Sequence, residues 1–329
     1  MQIRGQLGAV LLLLWLQLAF AVNASAQSSA ATGGTHPQPF GRDVLDPIGG
    51  QFDAQISGMF GFTGPGSIVR VREFAREGTG LHFHRLGMDT EQMPTIDLRY
   101  WFDRLDALHF RFRYFNIGGR AFFSGPVLFN GSTIAGGRTV PVNPSAWFSG
   151  GVYYERRLRP LLERYEGGWP AMLQKWDLRA MIGIEFTYLD FEIQSGHARV
   201  TPTSKGEETK EDFYHQSMPL PTIGLEALRR IDENFTFETS IQGNWINRWN
   251  SLRNEGGTVW TSQNGIEAHA KLYYSNRRLL GSLQPFVGFY VYTFSQQEIS
   301  HEDGNFIRWS SYGPELGVSY SFEPFVSRR

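Results

Sequence analysis

The sequence predicts an all-β fold, a closed antiparallel transmembrane β-barrel of about twelve strands, or ten. Three observations predict it. The first is alternation with a period of two. In "ALHFRFRYF", residues 107–115, Leu108, Phe110, Phe112 and Tyr114 occupy one face of a strand, and His109, Arg111 and Arg113 the other. The second is strand length. Alternating runs of about 9–11 residues or more recur, long for an ordinary sandwich but suited to a tilted crossing of a hydrocarbon layer. The third is the gathering of aromatic residues at strand ends: Tyr100 and Phe102, Tyr114 and Phe115, Trp245 and Trp249, Tyr273 and Tyr274, Tyr320 and Phe322. There an apolar ring and a polar tip both find suitable surroundings at a membrane–water boundary.

Composition narrows the function classes. A formal net charge of -1 over 329 residues gives no attraction to a polyanion, so no nucleic-acid partner is expected. The absence of cysteine excludes disulfides, thiolate metal sites and a cysteine nucleophile. Glycine, at 37 residues, and the 15% aromatic content favour strands and turns over helices. A mean hydropathy of -0.30 argues against a helical membrane protein, but not against a barrel, where only alternate residues meet lipid.

The N-terminus reads as a signal peptide over residues 1–26. Arg4 supplies the positive start, residues 7–22 the apolar run, and Ala24-Ser25-Ala26 the small-residue cleavage site. Residues 27–50, rich in Ser, Gly and Pro, read as a flexible leader. The barrel is assigned to 51–329.

Along the barrel, Phe52, Ala54, Ile56, Gly58, Phe60 and Phe62 form one face of the first strand. "TGPG" (63–66) is a turn. Shorter strands are expected at 67–74 and 80–87, the latter setting Leu81 and Phe83 against His82 and His84, followed by a polar loop at 88–94. The strand 95–103 carries Asp97, Arg99 and Trp101 on its polar face. Further strands are expected at 138–157, 177–188, 217–229, 235–245, 265–274, 282–297 and about 307–322, with both faces of 282–297 apolar. The turns at 75–78, 103–106, 230–233 and 275–281 are short, and those at 88–94, 119–137, 190–216 and 248–258 are longer. They alternate between two ends, as periplasmic turns and extracellular loops do. Residues 158–174 break this rule, a long segment on the short-turn side, and read as a small helix there.

Energetics decide which face meets lipid. An arginine at the bilayer midplane costs about 2–4 kcal/mol, so Arg111 and Arg113 need the lumen, with Glu185, Glu238 or Glu267 as partners. Strands open to lipid cannot leave backbone groups unpaired, so the sheet closes. A soluble periplasmic β-barrel binding protein is the alternative, with the faces reversed.

The stretches "GTGLHFHRLGMD", "IDLRYWFDRLDALHFRFRYFNIGG", "LFNGSTIAGG" and "GGVYYERRL" resemble a family of Gram-negative outer-membrane β-barrel proteins, mostly uncharacterised and of the small porin-like kind. The final "LGVSYSF" is similar to the C-terminal signal read by the barrel-insertion machinery, although seven residues follow Phe322 here. The resemblance implies the fold, the outer membrane, and outer-membrane lipid, lipopolysaccharide and the insertion machinery as partners. It brings no substrate.

The candidate site is a polar lumen cluster of His82, His84, Arg99, His109, Arg111, Arg113, Glu185, Glu238 and Glu267. Three imidazoles could bind zinc and a His with a carboxylate could act as a base, but nothing in the spacing fixes their proximity, so no metal, cofactor or catalytic residue is assigned. A lipid A deacylase is the catalytic alternative, with Ser195 and His197, or Asp212 and His215, supplying the residue types. The charge run at 205–212 reads as a solvated loop tip. The expectation is a non-enzymatic outer-membrane barrel. A lumen packed with Arg–Glu pairs makes it structural, and a less crowded one passes small solutes.

Overall fold

The computed structural model describes residues 47, 49–71, 78–129, 132–158, 176–193, 213–251, 259–299 and 304–322. In chain order the strands are β1 (Phe52–Thr63), β2 (Ile68–Arg70), β3 (Leu81–His82), β4 (Thr90–Trp101), β5 (Asp106–Tyr114), β6 (Asn116–Ile117), β7 (Gly119–Phe123), β8 (Val127–Phe129) and β9 (Ser132–Ile134). There follow β10 (Arg138–Arg157), β11 (Asp177–Ile193), β12 (Phe213–Arg230), β13 (Phe235–Ser251), β14 (Val259–Tyr274), β15 (Leu283–Ile299) and β16 (Phe306–Phe322).

Ten of these close a ring. Its order is β1-β4-β5-β10-β11-β12-β13-β14-β15-β16, and β16 returns to β1 through an antiparallel register running from Phe52 opposite Phe322 to Thr63 opposite Ser311. Ten, rather than twelve, is the barrel's strand number. Two segments expected as barrel strands are something else. Of residues 67–74 the structure describes 67–71, where β2 pairs with the start of β16. Residues 80–87 give the two-residue β3 and then a 3-10 turn, Phe83–Leu86. Phe83 and Leu86, three apart, are both buried, a spacing a 3-10 turn satisfies and a strand does not. Gly87, at φ +68°, ends the turn in the left-handed region open to glycine.

Residues 88–94 also differ from expectation. The polar loop is mostly wall: Thr90–Pro94 belong to β4 and pair with Phe62–Gly58 of β1. Several strands extend beyond the stretches expected of them, with β11, β13 and β15 each spanning 17 residues. Of the expected short turn at 75–78, residues 75–77 lie outside the described residues; β2 pairs with β16 and with β3 at the long-loop end.

At the other end the β4–β5 and β12–β13 connections are tight for a local reason. Asp103 Oδ1 accepts the backbone N–H groups of Leu105 (2.7 Å) and Asp106 (2.8 Å), and Asp232 Oδ1 those of Asn234 and Phe235 (both 2.8 Å). Each aspartate fastens a turn back onto its own strand.

The exterior is apolar. Ile182, Ile184, Ile223, Leu225, Ile241, Ile266, Val287 and Leu316 are exposed on neighbouring strands, Ile184 to 60% and Ile223 to 63%. Phe110 and Phe112 are exposed while His109 and Arg113 are buried, so the aromatic face of the 107–115 stretch looks outward. The same parity resolves β15: Val287, Phe289 and Val291 face out, and Phe286, Tyr290, Tyr292 and Phe294 face in. Phe115 and Tyr273, expected in the boundary girdles, are buried in the interior instead.

The expected signal peptide, nearly all of the leader, residues 159–175, Ser195, His197, Asp212 and the charge run at 205–212 lie outside the described residues. His215 is on β12, but its side chain also lies outside them.

Candidate functional site

The lumen is filled by charge. Nearest the short-turn end, Arg99 lies between Glu155 (2.7 Å) and Glu226 (3.0 Å). Arg179 reaches Asp177 (3.0 Å), Glu226 (3.0 Å) and Glu155 (3.4 Å), and Arg157 meets Asp177 at 2.9 Å. Both Arg99 and Arg179 lie over the Trp101 ring, whose indole N–H donates to Asp53 at 2.8 Å.

A second layer sits in the middle. Asp97 accepts from Arg111 Nε (2.6 Å) and contacts His109 Nε2 (2.8 Å), while Arg111 also donates to Gln242 (2.9 Å). Glu267 is its hub. It pairs with both terminal nitrogens of Arg113, accepts from Gln242 at 3.0 Å and contacts His269 Nε2. The other nitrogen of His269 lies 2.7 Å from Glu315. Only a ring protonated at both nitrogens can donate to both carboxylates. Lys271 bridges Glu238 and Glu315, each at 3.6 Å, and Tyr273 donates to Glu238 at 2.9 Å. Glu185 accepts from Asn244 at 3.3 Å.

Toward the long-loop end the lumen turns apolar. Above Arg113, whose guanidinium lies over Phe115 and Tyr292, a cluster of Phe115, Trp147, Tyr292, Phe294 and Trp309 fills the cross-section. Val69, Leu81, Phe83, Leu86 and Met88 close over it from the β2–β3 region. The β8–β9 hairpin adds Val127, Phe129 and Ile134, tied down where Leu128 exchanges hydrogen bonds with Thr79. Gly61 makes room at the junction: a Cβ there would collide with the Tyr290 hydroxyl, Glu91 and Ser311, a group joined by Tyr290–Ser311 at 2.8 Å.

Of the expected cluster, Arg99, His109, Arg111, Arg113, Glu185, Glu238 and Glu267 all face the lumen. Glu267 partners Arg113 and, at 3.6 Å, Arg111. Glu238 partners Lys271, and Glu185 partners Asn244. His82 and His84 stand apart at the long-loop cap, their rings 5.5 Å from each other, while His109 pairs across the wall with Arg99 and Tyr153 near the opposite end. The three imidazoles therefore do not converge. Asp97, Glu155, Arg179, Glu226, His269, Lys271 and Glu315 are charged members of the network beyond the expected set. Each sits on the polar face of an alternating strand, so the signal was present, but periodicity does not say which polar residues meet across the lumen.

Closed backbone pairing, an apolar exterior and an ionic interior together decide the architecture. The protein is a β-barrel of the outer-membrane type. Barrels of this type place their short turns in the periplasm and their long loops outside the cell. No protein-family model matches the chain, and no curated protein matches it. Among solved structures it is similar to the outer membrane protein OprG from Pseudomonas aeruginosa, at 10% identity over 86% of this chain and 100% of that one, with a TM-score of 0.35. It is also similar to the translocator domain of the autotransporter NalP from Neisseria meningitidis, at 12% identity over 92% and 98%, TM-score 0.38. The attachment invasion locus protein Ail of Yersinia pestis matches at 10% identity over 84% and 100%, TM-score 0.30. The register of the ring, not these likenesses, carries the fold.

What the arrangement can do follows from its packing. Between the two ionic layers lies a cavity of about 30 Å³, lined by Asp53, Asp97, Arg99, Arg111, Glu238 and Lys271 among others, with room for one or two waters. Opposite charges already neutralise one another around it. Among the described residues no group of His, Asp and Glu has the geometry to hold a metal ion.

Proposed function

We propose that the protein is a non-enzymatic outer-membrane barrel with a sealed lumen, a structural element of the membrane rather than an open pore. One observation carries this reading: two barriers stand in series along the axis. The ionic layers around Glu267 and Glu226 occupy the periplasmic half and the middle, and the Trp147–Trp309 cluster occupies the extracellular half. A solute on this path would have to break buried ion pairs and then part a packed aromatic layer, and both steps are costly. The porin-like alternative needs both barriers to move. The deacylase alternative needs a hydrolytic group at the lipid boundary, and its candidates Ser195, His197 and Asp212, with the side chain of His215, lie outside the described residues.

Planar-bilayer recording of the refolded protein tests the proposal. The expected result is silence across a wide voltage range in a sample whose heat-modifiable gel mobility proves it folded. Steady unitary currents would overturn the sealed reading in favour of a channel. Loss of acyl mass from incubated lipid A would overturn the non-enzymatic one.

A further inference from the structure

We propose that Arg70 and Arg308 form a binding site for the phosphate groups of a phosphorylated glycolipid in the outer leaflet. The inference rests on the orientation of the barrel given above.

The register places both residues on the outer wall. In the β2–β16 pair, Arg70 is opposite Phe306 and Ile68 is opposite Arg308. Val69 and Ile307 are buried inward, so Ile68, Arg70, Phe306 and Arg308 share the outward face. Arg70 and Arg308 are diagonal neighbours, whose Cβ atoms in such pairs lie about 7–8 Å apart, within reach of one phosphate for two long side chains. The Arg308 guanidinium lies 5.4 Å from the centre of the Phe306 ring, which holds it along the wall.

Their height is right for a headgroup. On the same wall Phe62 and Tyr312 form an exposed aromatic pair 6.4 Å apart, the kind that marks the edge of the hydrocarbon. Arg308 is four residues beyond Tyr312, roughly 13 Å along the strand.

Charge supplies the partner's chemistry. Arg70, Arg85, Arg120, Arg138, Arg248 and Arg308 are all exposed at the extracellular end, and none has an ion-pair partner among the described residues. The lumen arginines 99, 111, 113 and 179, by contrast, are each paired. Guanidinium groups at headgroup height present forked donors to an anion, and a lipid phosphate meets that fork with two parallel hydrogen bonds. A glycolipid bearing phosphates on its sugar headgroup combines that anion with acyl chains that lie against the apolar wall below.

The test is native mass spectrometry of the refolded, detergent-solubilised protein with bisphosphorylated lipid A, its dephosphorylated form, or phosphatidylglycerol. Wild type is expected to retain bisphosphorylated lipid A selectively. R70Q/R308Q should lose that retention by on the order of thirtyfold, while R104Q, exposed at the periplasmic end, should keep it. All three proteins are expected to show heat-modifiable mobility. Equal retention of dephosphorylated lipid A or phosphatidylglycerol, or undiminished retention by R70Q/R308Q, would overturn the site while leaving the barrel reading intact. Wild type without a heat-modifiable shift would overturn the barrel reading and this one with it.

Discussion

Arg113 and Glu267, 154 residues apart in the chain, face each other across the lumen in a two-pronged pair, with Arg113 Nη1 donating to Glu267 Oε2 at 2.9 Å. β5 and β14 are not neighbours in the ring, so this contact braces the barrel across its interior. Breaking a buried pair from one side leaves a charge without a counter-charge. Arg113→Met or Glu267→Gln alone should therefore lower unfolding stability by about 3–5 kcal/mol. The glutamate change should cost more, because Glu267 also holds Gln242 and His269. The double variant should cost less than the sum, and urea unfolding from lipid vesicles around the cycle measures the difference. Strict additivity would mean the pair does not couple.

The outward face of β11 gives a second prediction with an unambiguous sign. Ile184 is 60% exposed at mid-strand, flanked by Ile182 and Phe186 on the same face. On a soluble barrel, Ile184→Arg would be neutral or improve solubility. Facing hydrocarbon, it should cost about 2–4 kcal/mol, and the same change at a strand end should cost less. Equilibrium unfolding in vesicles reads both, and no penalty at Ile184 would place this wall in water.

Much of this was legible from alternation alone. The 107–115 stretch gave its inward and outward faces correctly, because a period of two leaves a single assignment once arginine must avoid lipid. The wall at β15 was not legible. Its inward residues Tyr290, Tyr292 and Phe294 belong to the aromatic plug, and Phe286 packs against Tyr273 and under Lys271 nearer the other end, so both faces of the strand look alike in sequence. The same plug explains the misreading of 80–87. Phe83 mimics an alternating strand residue, and only its packing with Leu86 around a turn ended by Gly87 distinguishes the two. Partners across the lumen, such as Arg113 with Glu267, depend on the closure of the ring, which no local pattern encodes.

At the short-turn rim, pH enters through Asp103. The backbone N–H groups of Leu105 and Asp106 donate to its carboxylate and lower its pKa below the ordinary value of 3.8. A pKa depressed on folding contributes stability that is complete above the unfolded value and lost as pH falls through the folded one. Asp103→Asn should therefore destabilise the barrel at neutral pH, and the gap to wild type should narrow only in acid below about pH 4. Denaturant midpoints of both proteins across that range check it. A gap that widened in acid would contradict the turn geometry.

The two lumen barriers make the last prediction, since closures in series fail only together. Trp147 and Trp309, with ring centres 4.7 Å apart and Phe115 beside both, pack at the heart of the aromatic cluster. Replacing a large buried aromatic by alanine costs about 3–5 kcal/mol, so W147A/W309A should unfold at clearly lower denaturant. It should nevertheless remain electrically silent, because the ion pairs of Arg99 and Arg111 still block the path beneath. Adding Arg99→Ala and Arg111→Ala removes two cations and leaves Asp97, Glu155 and Glu226 short of partners. Water then replaces the lost side chains, and the exposed carboxylates favour cations. The fourfold variant should conduct, with a reversal potential in a salt gradient displaced toward that of the cation. Current through W147A/W309A alone would mean that the ionic layers do not seal the lumen, and that the plug is the gate.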